Sequence, residues 1–263
     1  MIAEATPDVG GQPAFELAPG TGALDIVTSD LDDATRLVLA KLWQQRADSE
    51  SGVRTVFQQL ADAFAATGAH PEVITLARRA AEDEVRHAAV CTELATAYRR
   101  EPVAAAVEPA VRLPDYVEDR RLRAALHAVN LCCIGETIAV AFVEACLGDC
   151  ADPTLREIHR RHLADEVRHA RVGWAHLASL TDGERAEVAT WVPRLVHAQL
   201  TGWEQRLGEL PEGGVPGHAY PPRAALIRAV QTAVRELVLP GFEYVGITVQ
   251  ISPEIISPES ISL

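Results

Sequence analysis

The hexapeptide Asp-Glu-Val-Arg-His-Ala occurs twice in the chain, at residues 83–88 and again at residues 165–170. Each copy contains a Glu-x-x-His step, which in the first copy joins Glu84 to His87. Positions three apart on a helix project from the same face, one turn from each other. A carboxylate and an imidazole placed in this way can both reach one metal ion. Repeated on two facing helices, this step predicts a dinuclear metal site inside a helix bundle.

Two other predicted helices each place an acidic residue on an apolar stripe, at Glu50 and at Glu136. A lone acid is costly to bury unless it is paired or bound to a metal. For Glu50 taken alone, the alternative is an exposed acid at the edge of the stripe or a helix break near Gly52. His162 lies four residues before Glu166 and shares its face. We expect His162 to bind metal, with a hydrogen bond to a ligand as the alternative.

Seven side chains are therefore the predicted metal ligands and catalytic residues: Glu50, Glu84, His87, Glu136, His162, Glu166 and His169. Pseudo-symmetry assigns Glu50, Glu84 and His87 to one ion. It assigns Glu136, Glu166 and His169 to the other, and makes Glu84 and Glu166 the bridging pair. Mixed carboxylate and imidazole ligation suits iron or manganese, whereas structural zinc sites favour thiolates. Two iron ions are the expected cofactor, with manganese as the alternative.

An aspartate precedes each motif glutamate, at Asp83 and Asp165. Metal-bound histidines usually donate their second N–H to a carboxylate or a carbonyl. We therefore expect Asp83 to contact His169 and Asp165 to contact His87 across the helix interface. The arginine three residues after each aspartate would neutralise its charge. The alternative is an exposed Asp–Arg salt bridge within each helix.

Apolar periodicity and capping signals predict six helices, over residues 31–66, 71–99, 116–147, 153–179, 182–210 and 222–239, with a kink at Pro193. The expected fold class is all-α, a ferritin-like four-helix bundle with two additional C-terminal helices. The predicted organisation is an irregular N-terminal arm over residues 1–29, a helical di-iron domain over residues 30–245 and a tail over residues 246–263. That tail contains a strand-like run at residues 247–251 and is either disordered or docked on a partner.

Composition limits the function classes. The formal net charge of −13 argues against nucleic acid and anionic membranes as partners. The five cysteines form no Cys-x-x-Cys pair, which indicates free thiols in a reducing compartment. We expect no signal peptide and no stretch of about 20 apolar residues that would span a membrane. These features predict a cytoplasmic protein.

The order Glu, Glu-x-x-His, Glu, Glu-x-x-His over residues 31–180 resembles that of the ferritin-like non-haem di-iron oxidases and oxygenases. Within that group, His162-x-x-x-Glu166-x-x-His169 is similar to the p-aminobenzoate N-oxygenase family, which adds a third histidine at this place. The resemblance implies that O2 is used to oxidise a small organic substrate, an amine that is often aromatic, in specialised metabolism. It also implies an external electron donor and a homodimer. Beyond residue 180 no motif of that family is present.

Two other functions fit the same residues. One is a di-iron desaturase, halogenase or carbon-hydroxylating oxidase on the same scaffold. The other is iron handling or peroxide scavenging, as in ferritin or rubrerythrin. Rubrerythrins carry a cysteine-rich iron site that this sequence lacks, and the two additional helices favour the oxygenase.

Overall fold

A computed structural model describes residues 24–252, and within that range the chain folds into six helices without a β-strand. The first five are α1 (Asp33–Thr67), α2 (Pro71–Arg99), α3 (Arg120–Asp149), α4 (Pro153–Ala178) and α5 (Asp182–Gly208). The sixth, α6, runs continuously through Arg223–Ala233, Val234–Val238 and Leu239–Tyr244. The all-α prediction is confirmed.

Aspartate side chains determine where two helices begin, and both starts differ from the prediction. Helix α1 begins at Asp33 rather than at residue 31, and Asp32 caps it, because its carboxylate accepts a hydrogen bond from the backbone N–H of Thr35 at 2.7 Å. Helix α3 begins at Arg120 rather than at residue 116. There the Asp119 carboxylate accepts hydrogen bonds from the backbone N–H groups of Arg121 and Leu122, both at 2.8 Å, and so caps the helix.

Helix α6 extends five residues beyond its predicted end at residue 239. Pro240 lies inside the extension, and a proline within a helix removes one backbone donor and crowds the preceding turn. The turn before it, Val234–Val238, is a wider π-helix, which accommodates the proline without ending the helix. In α5, Pro193 likewise lies within a continuous helix.

Helices α1 to α4 form the part of the fold that surrounds the candidate site. Three-residue connections join α1 to α2 and α4 to α3, so each pair folds back on itself. Helix α2 packs against α4, α1 packs against α3, and α5 and α6 both cover α3. The connector between α2 and α3 returns along α1, where Gln59 donates to Val111 O at 2.7 Å and accepts from Leu113 N–H at 3.1 Å.

Helix α3 is long and apolar enough, by length and composition, to cross a membrane. The expectation that the chain has no such segment is therefore wrong. Packing inside the protein also accounts for the apolar side chains of α3, because this helix contacts α1, α4, α5 and α6. Of its most apolar window, 44% is buried inside the protein.

Both ends of the described range are irregular and lie against the helical core. Ile26 is buried, and the N–H of Val27 donates to Asp152 at 3.1 Å. The run at residues 247–251 forms no strand in the described structure. Instead, Ile247 is buried and its N–H donates to Phe242 O at 2.9 Å. Residues 1–23 of the predicted arm and residues 253–263 of the tail lie outside the described residues.

Candidate metal centre

The two Glu-x-x-His steps face each other in the interior between α2 and α4, and all four side chains are buried. Nδ1 of His169 lies 3.0 Å from Glu84 Oε1 and 3.2 Å from Glu166 Oε2. Nδ1 of His87 lies 3.2 Å from Glu84 Oε2 and 3.9 Å from Glu166 Oε1. Each imidazole therefore directs the same ring nitrogen towards both carboxylates.

The other ring nitrogen of each histidine contacts an aspartate on the opposite helix. Nε2 of His87 lies 3.0 Å from Asp165 Oδ2, and Nε2 of His169 lies 3.3 Å from Asp83 Oδ2. Because an ionised carboxylate only accepts hydrogen bonds, each Nε2 carries a proton and each Nδ1 faces the interior. Burial opposes protonation of His87, but the charge of Glu84 and the hydrogen bond to Asp165 outweigh it and raise the pKa of His87 to about 10. In the metal-free protein Nδ1 is therefore protonated as well, and a bound cation would take the place of that proton. Both predicted cross-helix contacts are present. That they orient the histidines as ligands of a metal ion stays a prediction.

The two aspartates also form ion pairs with arginines, which was the alternative interpretation. Arg86 contacts Asp83 at 2.6 Å and Asp165 at 3.5 Å. Arg168 pairs with Asp165 in its own helix and lies 4.0 Å from Asp83. The cross-helix contacts and the salt bridges therefore coexist. The positive arginines stabilise the ionised aspartates beside the histidines.

His162 and Glu50 join the cluster from α4 and α1. Nε2 of His162 lies 2.8 Å from Glu166 Oε1 and 3.5 Å from Glu50 Oε1. The His162 ring stacks on His87, with the ring centroids 3.8 Å apart. Both side chains are buried, so the alternative that Glu50 is an exposed acid does not apply.

Arg46 is a member of the cluster that the sequence analysis did not identify. Its Nε donates to Glu50 at 3.1 Å, and its Nη2 lies 3.4 Å from His162 Nε2. The sequence signal was its position four residues before Glu50, one turn away on the same helix. That signal becomes informative only once Glu50 is known to be buried.

Among the described residues, two groups of donor atoms lie close enough to hold a metal ion. They are Glu50, His87, His162 and Glu166, and Glu84, Glu166 and His169. Within each group the donor atoms all lie within 4.8 Å of one another, and every member is buried. Glu166 belongs to both groups, which is the position of a bridging carboxylate. Glu84 is grouped with His169, whereas pseudo-symmetry assigned it to the ion of His87.

Glu136 is buried but belongs to neither group. It ends a π-helical stretch of α3, Val129–Glu136, which the sequence analysis did not predict. Burial raises the pKa of Glu136 well above its usual range, and the negative charges of Glu166 and Glu84 raise it further. Glu136 therefore lies within electrostatic reach of the cluster without sharing its donor geometry. Isolated π-helical turns within α-helices occur frequently at functional sites.

The pKa values of Glu50 and Glu166 are shifted in opposite directions. Burial, followed by the charge of Glu84, raises the pKa of Glu50 to about 7, against the opposing effect of Arg46. Burial also acts to raise the pKa of Glu166, but hydrogen bonds to His162 and His169 outweigh it and lower that pKa well below its usual value. Concentrating four carboxylates in a buried site is unfavourable unless positive charge compensates them.

The residues present fit a metal ion. Oε1 of Glu84 is buried and accepts no hydrogen bond, although it faces His169 Nδ1. A cation between such a pair would bind both atoms in place of the Nδ1 proton. The donor groups contain only carboxylate oxygen and imidazole nitrogen. Cys91 is buried nearby, where burial raises the pKa of its thiol, and it belongs to neither group.

Two cavities adjoin the cluster from opposite sides. The first, of about 280 Å³, reaches the carboxylates of Glu50, Glu136 and Glu166 from the side of α1, α3 and α5. Its wall is largely apolar and includes Val53, Leu131, Phe142, Val143 and Trp203. The second, of about 620 Å³, is a groove between α2 and α4 that reaches His87 and His162.

In comparisons with known proteins, no family model, no curated protein and no solved structure matches this chain. Its class therefore rests on the fold and the site alone. They define an all-α protein with a buried cluster of glutamates and histidines that could hold a metal ion.

Proposed function

We propose that this protein is a non-haem di-iron oxygenase with a ferritin-like bundle, which uses O2 to oxidise a small organic molecule. The observation that carries the proposal is the pair of buried donor groups that share Glu166. The cavity of about 280 Å³ that ends at Glu50, Glu136 and Glu166 supports an enzyme over a storage protein, because it gives a small molecule access to the cluster.

Two iron ions would be held by the two donor groups, which share Glu166, and Glu136 on α3 lies beside them. Carboxylate and imidazole donors suit iron, with manganese as the alternative. When bound in its ferrous form, such a pair supplies electrons for the reduction of O2 beside the substrate. Electrons for the next turnover come from an external donor.

The side chains around the cluster hold the imidazoles in one orientation. Asp165 and Asp83 accept the Nε2 protons of His87 and His169, so their Nδ1 atoms face the interior, where a bound cation would replace the Nδ1 protons. Arg46 donates to Glu50 and contacts His162, so it orients the α1 side of the cluster. None of these contacts depends on the substrate.

The cavity wall provides for substrate binding. Phe142 and Trp203 lie with ring centroids 5.2 Å apart and form an aromatic part of this wall. Gln199 and Arg46 supply polar groups within it. We propose N-oxygenation of an amine as the reaction, because the position of His162 before Glu166 and His169 resembles that of the third histidine in the p-aminobenzoate N-oxygenase family. Desaturation, halogenation and carbon hydroxylation are the alternatives on this scaffold.

The test starts from metal-free protein loaded anaerobically with ferrous iron. Exposure to 18O2 in the presence of a panel of aromatic and aliphatic amines should give O2 consumption and an 18O-labelled product detected by mass spectrometry. Glu136→Gln should lower product yield, whereas the matched control Glu144→Gln, an exposed glutamate two turns along α3, should not. Growth of a ferric mineral without oxidised product would support iron storage instead and contradict the proposal.

A further inference from the structure

The π-helical stretch of α3 needs support from its neighbours, because a π-helix is intrinsically less favourable than the α-helix on either side. The stretch covers Val129–Glu136 and ends at the glutamate that faces the cluster. A shift of this stretch towards α-helical geometry would rotate Glu136 relative to Glu166. What holds the stretch in place therefore also determines where the Glu136 carboxylate lies.

A side-chain amide from α5 contacts the beginning of the stretch. Nε2 of Gln199 donates to the backbone oxygen of Asn130 at 3.0 Å and to its side-chain Oδ1 at 3.1 Å. Gly135 provides the space for this amide, since a Cβ atom there would lie 3.3 Å from Asn130 O and 3.4 Å from Gln199 Nε2. The amide of Gln199 thus lies against both the second and the seventh residue of the stretch.

The opposite side of the stretch is pressed against α4. A Cβ atom on Gly173 would lie 2.6 Å from Cys133 Sγ and 2.9 Å from Ala128 O, so only glycine allows this approach. Gly173 lies one turn beyond His169 on α4. Close packing holds one side of the stretch, and the hydrogen bonds of Gln199 hold the other.

We infer that Gln199 is a positioning residue, whose amide fixes the π-helical stretch and thereby the place of Glu136 beside Glu166. The inference rests on the proposed function, because it gives Glu136 a role towards the metal. Gln199, Gly135 and Glu136 also line the cavity of about 280 Å³. A molecule bound in that cavity contacts the amide that positions Glu136, so substrate binding and the geometry of the cluster are coupled.

The first test uses metal-free protein and hydrogen exchange. Gln199→Leu keeps a side chain of similar size but removes both hydrogen bonds. The amides of residues 130–136 should then exchange about tenfold faster, while exchange in α1 and α2 and the overall helix content stay unchanged. Gln45→Leu is the matched control, because Gln45 lines the same cavity but binds Glu209 at 2.9 Å. It should leave residues 130–136 unchanged.

Two further variants separate hydrogen bonding from packing. Asn130→Asp keeps both acceptors of the Gln199 amide and should exchange like the wild type. Asn130→Ala removes one of the two acceptors and should show a smaller acceleration than Gln199→Leu. If Gln199→Leu fails to fold, Asn130→Ala still tests the role of these hydrogen bonds. Equal exchange in all variants at residues 130–136 would overturn the inference.

The second test measures metal content with Co2+ as the probe. Where the wild type binds two ions per chain, Gln199→Leu should bind the second more weakly, and Asn130→Asp should bind both as the wild type does. If the wild type binds no ion, the proposed function fails, while the exchange experiment still tests Gln199 as a clamp on α3. If the wild type and Gln199→Leu bind two ions equally, the positioning of Glu136 by Gln199 is refuted and the proposed function stands.

Discussion

Oδ2 of Asp165, on α4, lies 3.0 Å from Nε2 of His87, on α2. The repeated hexapeptide makes the same contact in reverse, with Asp83 on α2 and His169 on α4. Each motif helix therefore orients the imidazole of the other, and neither half of the cluster is complete alone. A single substitution in one motif helix should therefore affect metal binding by the histidine of the other.

Replacing Asp165 with asparagine should weaken metal binding. The amide no longer enforces a proton on Nε2 of His87, so the Nδ1 lone pair is less available in the interior. Loss of such a supporting carboxylate typically costs 10- to 100-fold in metal affinity, and we expect about that loss in a Co2+ titration. Asp182→Asn, at an exposed aspartate that pairs with Arg185 in the first turn of α5, is the control. Equal affinity in both variants would show that the cross-helix contact is only structural.

Substitution of the shared carboxylate should differ from substitution of a residue in one group only. Glu166→Ala removes a member of both donor groups, so binding of both ions should be lost. His162→Ala leaves Glu84, Glu166 and His169 intact and should keep at least one ion. Metal analysis after equilibrium dialysis against ferrous iron checks both. The account is contradicted if His162→Ala empties the site or Glu166→Ala leaves it unchanged.

A methyl group at position 173 should destabilise the fold. In Gly173→Ala the new Cβ meets Cys133 Sγ at 2.6 Å and the backbone oxygen of Ala128 at 2.9 Å, so α3 and α4 have to separate. We expect a loss of about 1–3 kcal/mol in the free energy of unfolding, measured by urea denaturation. In the control Gly202→Ala, no atom lies within 4 Å of the new Cβ, and that variant should gain up to about 1 kcal/mol.

Acid should destabilise the protein partly through His176. Its ring is buried against Phe64, and neither ring nitrogen has a hydrogen-bond partner in the described structure. Burial, reinforced by the positive charge of Arg121 and opposed by Glu184, lowers the pKa of His176 from 6.5 to about 4. The unfolded chain therefore takes up a proton near pH 6.5, whereas the folded chain does so only near pH 4.

The stability that His176 contributes is therefore present above pH 6.5 and is lost as the pH falls from 6.5 to about 4. At pH 4.5 this loss amounts to about 2.5 kcal/mol. Urea denaturation at pH 7 and pH 4.5 should show a pH dependence smaller by about that amount in His176→Leu than in the wild type. Replacing the exposed His197 in the same way controls for the loss of an imidazole. An unchanged pH dependence in His176→Leu would show that His176 is not held neutral.

The sequence predicted the parts of the structure that depend on local spacing. Periodicity and capping signals predicted the six helices, because both are carried within each helix, although two helix starts and one helix end lie two to five residues away from the prediction. The contact of Asp83 with His169 was predictable because the hexapeptide is repeated. An interaction that one copy makes across a pseudo-twofold interface is made by the other copy as well.

The features that the sequence did not predict depend on tertiary contacts. The π-helical stretch before Glu136 lies between Gly173 and Gln199, which are 38 and 64 residues further along the chain than Gly135. Arg46 enters the cluster because Glu50 is buried, which spacing alone left undecided. Helix α6 continues through Pro240 because the preceding π-helical turn accommodates it. In each case a long-range contact or an altered helical geometry outweighs the local signal.

The most direct test of the central claim is a crystal structure of the iron-loaded protein, measured with anomalous scattering at the iron edge. The account predicts two iron peaks between α2 and α4, both within bonding distance of the Glu166 carboxylate. One peak should adjoin His87 and His162, and the other Glu84 and His169. The absence of iron there, or iron bound only at the surface, would contradict the dinuclear site and the oxygen chemistry proposed from it.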